Sequence, residues 1–72
     1  MTDREWIDAF ATALGIAPPS DADVATMLDL AGVAAHASQR TAAPVSCWLA
    51  AAAGVSPAEA LDLARTVAAP SG

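Results

Sequence analysis

The sequence predicts an all-α fold, a compact bundle or orthogonal array of four helices, and three observations carry that prediction. Apolar residues recur at helical spacing in four separate stretches, and no stretch alternates with the period of a strand. Each stretch is preceded by Ser, Thr, Asp or Pro or closed by Gly, the residues that start and stop helices. The links between stretches are short, so successive helices are expected to lie as antiparallel neighbours. The expected spans are about 3–14, 21–38, 44–53 and 57–68, forming one helical domain over 1–69 with a disordered tail at 70–72.

In the first helix, Thr2 and Glu5 have the spacing of a capping box, and Gly15 suits a left-handed closing residue. Trp6, Ile7, Phe10, Ala11 and Leu14 share one face, read as a core stripe in preference to an exposed aromatic pair. Ile16 to Pro19 form a stiff connector, with Ile16 expected to pack inward, because two prolines restrict their own φ and their predecessors. Ser20 or Asp21 caps the second helix. Its expected core stripe is Val24, Met27, Leu28, Ala31 and Ala35, with Leu30, Val33 and Ala37 as a second apolar flank. A helix apolar over so much of its circumference belongs at the centre of the fold. Gly32 inside it costs helix stability and is expected to allow a close helix–helix approach.

Residues 39–43 break the chain, and Pro44 is read as the first residue of the third helix, where its missing N–H does no harm. Val45, Trp48, Leu49 and Ala52 are expected to face one way. The opposite side, Ser46, Ala50 and Ala53, is too small and apolar for a solvated face, so it is expected to be buried or to form an interface. Gly54 closes this helix. Ser56, Pro57 and Glu59 give the fourth helix its start as cap, first helical residue and reciprocal capping acid. Leu61, Ala64 and Ala68, flanked by Leu63 and Val67, supply its expected core face.

Composition narrows the function. The 72 residues include no lysine, and the formal net charge is −5. An acidic surface repels a phosphate backbone and anionic lipid, so neither nucleic acid nor membrane is an expected partner. The longest apolar run, Ala42 to Val55, is shorter than the ~20 residues of a membrane span. Cys47 is the single cysteine, so no internal disulfide forms. The start of the chain lacks the basic-then-apolar layout of a secretion signal, and a cytoplasmic location is expected. Arginine without lysine beside abundant alanine suggests a GC-rich bacterial genome.

One polar constellation stands out. Asp29, His36 and Arg40 fall within about 40° on one helix face. Arg40 precedes the Pro44 helix, whose start offers the positive end of a dipole. His36, Arg40, Pro44 and Ser46 at that helix start therefore make a candidate anion- or nucleotide-binding site. The plainer reading has Asp29 and Arg40 solvated and His36 packed against the turn of the third helix, and a His or Arg near a helix C-terminus also offsets the dipole with no ligand involved. Asp29 and His36 are about 10 Å apart along the helix, too far for a direct bond. No serine or cysteine is placed to complete a nucleophilic set, and Cys47 reads as a small core residue. No catalytic residue, metal site or cofactor is expected. An acyl carrier protein of similar size needs an Asp-Ser-Leu-like attachment serine; Ser20 lies between Pro19 and Asp21, so that motif is absent.

Met27 to Ala31 (Met-Leu-Asp-Leu-Ala), Ala35 with His36, Arg40, and Ala43 with Pro44 before an apolar helix carry a resemblance, joined by Trp6 with Ile7 and the Leu49 to Gly54 helix end. Over most of its length the chain resembles a small uncharacterised helical domain of actinobacteria, also found fused behind molybdenum-cofactor guanylyltransferase-like proteins. The resemblance implies a link to molybdenum-cofactor biosynthesis or to molybdoenzymes, and brings no catalytic residues. The leading expectation is a non-catalytic interaction or accessory module, docking through helix two and the Ala face of helix three. Its partner would be a larger protein, such as a molybdenum-cofactor enzyme, or a second copy of the chain.

Overall fold

Four helices, α1 (Asp3–Leu14), α2 (Asp21–Ala37), α3 (Ala42–Ala53) and α4 (Pro57–Ala68), make up the computed structural model, which describes residues 1–70. The central one is α2, and the packing that joins helices is α3 on α2 and α4 on α2. The core is Leu30, Ala60 and Leu61, with Met27, Cys47 and Ala64 among the partly buried residues packed against it. Principal extents are 44 × 23 × 18 Å, an elongated outline for so short a chain. No described helix is long and apolar enough to cross a membrane. Of the tail expected at 70–72, the last two residues lie outside the described part.

Local signals act as their chemistry requires. Thr2 Oγ1 accepts from Glu5 N at 3.1 Å, and Glu5 Oε1 accepts from Thr2 N at 2.9 Å, closing the capping box. Ser20 and Ser56 each accept from the N–H three residues on. Glu59 does not return the bond, so α4 has only the forward half of a capping box. Gly15 and Gly54 both close their helices at positive φ, 76° and 74°.

The start of α3 differs from the expectation. The helix begins at Ala42, so Pro44 is its third residue and Thr41 the residue before it, with no side-chain cap. The first-turn N–H groups lack intrahelical partners in any helix, which is why proline is tolerated at the third position too. The second helix ends at Ala37, with Ser38 as its closing residue.

Burial redraws several expected faces. In α1 only Ala11 is buried; Trp6 is 55% exposed, Phe10 49%, and Leu14 and Ile16 are exposed as well. The cause is that α1 meets the chain through the row Arg4, Ile7 and Ala11, leaving the other edge of its apolar stripe without a neighbour. Trp6 and Phe10 cover each other instead, ring centroids 5.0 Å apart and tilted by 32°. In α2 the residue buried most is Leu30 from the flank, whereas Leu28 is exposed. In α3 the half-buried residues are Ala42, Ala43, Ser46, Cys47 and Ala50, so Val45 and Trp48 face outward and Leu49 is exposed on the wall of an open groove. Small side chains set a short interaxial distance, which favours that face for contact with α2. In α4, Ala60 and Leu61 are buried, while Ala68 is exposed. A Cβ built on Gly32 would meet nothing within 4 Å, so no close helix approach depends on that glycine.

Candidate functional site

Because α3 and α4 both pack on α2, an open apolar groove remains over the C-terminal half of α2, with a volume of about 570 Å³. Its floor includes Leu30, Val33 and Ala34. One wall is Ser46, Ala50 and Ala53 of α3, the small-residue side that the sequence leaves without polar cover. The other is Leu63, Ala64 and Val67 of α4, with Val67 87% exposed. Only Ser38 and Ser46 carry side-chain polar atoms along the lining, and no charged residue does. Past Val33, Ala37 and Ala68 the groove continues into a shallow depression bordered by His36 and Arg65.

The structure distributes the polar residues singled out in the sequence. Ser46 lies in the groove wall and His36 in the adjoining depression, opposite Arg65 of α4. Asp29 is exposed, Arg40 is exposed in the turn before α3, and Pro44 is exposed on the first turn of α3. Neither depression is bordered by Asp29, Arg40 or Pro44. The start of α3 also has few donors left for an anion. Ala42 N donates to Gln39 O at 2.9 Å, Ala43 N donates to Arg40 O at 3.1 Å, and Pro44 has no N–H. A dipole end whose N–H groups are already used is a poor cradle for a phosphate.

Cys47 is half-buried against α2, its thiol pointing at Met27 O with Sγ 3.9 Å away. Burial pushes the thiol pKa up, so the neutral form dominates and the sulfur acts as a small apolar filler.

Arg4, which sequence periodicity places on the outer face of α1, is the residue that fixes that helix. Its guanidinium donates through Nη2 to Pro19 O in the connector. Nε lies 3.1 Å from Asp8 Oδ1 and Nη1 lies 3.4 Å from Asp21 Oδ1. Neither Nη1 nor Asp8 Oδ1 has an aligned hydrogen-bond partner, so these two pairings are Coulombic. Among the described residues they are the ion pairs of the chain, which leaves Arg40 and Arg65 unpaired.

Periodicity places Leu63 and Val67 on the flanks of the core face of α4, whereas both stand exposed in the groove wall. The available signal was the breadth of the apolar arc on α4, wider than a single packing partner covers.

Against known families, the family described as a domain of unknown function (DUF6457) matches residues 2–69. No curated protein and no solved structure matches the chain.

Proposed function

The chain belongs to the DUF6457 family, and we propose that it is a non-catalytic protein-interaction module whose docking face is the groove between α3 and α4. The observation that supports this reading is an open trough of about 570 Å³ with no charged residue in its lining. Small-molecule sites of similar volume enclose most of their ligand and carry convergent polar groups. This trough has an exposed wall and two serines, features suited to the apolar face of a helix laid along it. A contiguous apolar surface of this kind on a small protein marks an interaction site.

The resemblance of Met27 to Ala31 and of Ala43 with Pro44 motivates a finer version, in which the module serves molybdenum-cofactor biosynthesis in an actinobacterial cytoplasm. That version rests on the resemblance alone.

Site-specific photo-crosslinking tests the docking face. A benzophenone side chain is placed at Leu49 or Leu63 on the two groove walls, and at Asp29 or Asp62 as controls. Protein adducts from the groove positions and none from the controls are expected. If groove positions yield no adduct, to this protein or any other, the interaction reading fails.

A further inference from the structure

We propose that the occupant of the groove is α1 of a second copy of this chain, each copy giving its α1 and receiving the other's. This rests on the reading of the groove as a docking face and names what fills it.

Surface area argues for a second copy. A folded monomer of 7.1 kDa is expected to expose about 4,100 Å². This chain exposes 5261 Å², about 1,200 Å² more. A stable interface takes about 800 Å² from each partner, so the excess is large enough to supply one. Among the described residues only Ala11, Leu30, Ala60 and Leu61 are buried, a small core for a chain meant to stand alone.

Shape argues for α1. Its uncovered stripe is Trp6, Phe10 and Leu14, spaced i, i+4, i+8, which is the pattern of anchors that seat a helix in an apolar groove. The three helices α1, α3 and α4 each have 12 residues, so the inserted helix and both walls match at about 18 Å. Within one chain this stripe does not serve the groove. Arg4 holds α1 at Pro19 and Asp21, at the N-terminal end of α2, whereas the groove floor runs from Leu30 towards Ser38.

Charge is complementary. Of the charged residues of α1, Arg4 and Asp8 pair with each other, which leaves the acids Asp3 and Glu5. Arg65, in no ion pair among the described residues, borders the continuation of the groove beside His36. An acidic helix brought near Arg65 at the continuation of the trough is favoured over a basic one. A two-fold axis makes the two insertions equivalent and closes the assembly at a dimer.

The test is light scattering on the full chain, followed by complementation. Wild type is expected at twice 7.1 kDa at micromolar concentration. Trp6→Ser/Phe10→Ser and Leu63→Glu/Val67→Glu are each expected to weaken dimerisation by about thirtyfold or more, since buried aromatic anchors dominate such contacts. None of the four side chains is buried, the least exposed being Phe10 at 49%, and circular dichroism checks that helicity is retained. Mixing the two variants restores one intact insertion, so a heterodimer forms that neither variant gives alone. Independently of any variant, isotope-filtered NOEs in a mixed labelled and unlabelled sample should connect the Trp6 indole to Leu63 or Val67 methyls across chains. A monomeric wild type overturns the exchange, as does a dimer without complementation and without those NOEs. If the wild type is monomeric while the groove crosslinks a different protein, the docking face stands and only the self-exchange falls.

Discussion

Arg4 joins α1 to the chain beyond it through a hydrogen bond to Pro19 O and a charge contact with Asp21, and it pairs with Asp8 inside its own helix. Exposed ion pairs contribute about 0.2–1 kcal/mol each, so most of its effect comes from the bond to Pro19 O. Arg4→Ala is expected to speed amide hydrogen exchange in α1 by about tenfold with little change in α2, α3 and α4. Gly32 has no neighbour that a methyl group would meet, and it sits inside a helix. Gly32→Ala should therefore raise stability by about 0.5–1 kcal/mol in urea unfolding. A loss instead would mean that the helix is approached closely at that point in solution. Cys47, held neutral by burial, should react with a disulfide reagent about tenfold or more slowly in the native state than in urea.

At the scale of elements, α1 has good end signals and weak tertiary support. Bonds from the backbone and side chain of Thr2 hold the Glu5 carboxyl below its ordinary pKa, with slight burial opposing. Since the folded value is depressed, the capping contribution is present above the unfolded pKa and is lost as pH falls through the folded one. Carbon-detected NMR should show Glu5 titrating at lower pH than an unstructured glutamate, with the Thr2 amide shift following it. The start of α3 gives a contrasting case. Its donors are bonded to Gln39 O and Arg40 O or absent at Pro44. Inorganic phosphate at tens of millimolar should leave the His36 and Arg40 resonances in place, and a saturable shift of both would restore the anion site.

At the scale of the molecule, three helices share one small core and the fourth is tethered at one end. The apolar features that stay open include the α1 stripe and the groove, and the helices that form them have equal lengths. Apolar area left in water contributes nothing to stability, whereas burying it is worth roughly 25 cal/mol per Å² before association costs. An assembly that closes both features would gain that term, and its stability would depend on protein concentration.

The sequence by itself determined the number of helices, their ends to within two residues, and the centrality of α2. Those properties are local: a capping serine, a left-handed glycine and a 3.6-residue period act within one or two turns. It also marked the Ser46, Ala50 and Ala53 side of α3 as a face without polar cover. Which part of each apolar arc is covered was decided only by the tertiary structure. Trp6 and Leu28 fit their stripes as well as Ala11 and Met27 do, yet α1 touches the chain at one end and α2 turns Leu30 inward. Periodicity records that a face is apolar, and it carries no information on how many neighbours arrive to cover it. The groove arose in the same way, from two helices packing on a third and leaving the space between them unfilled.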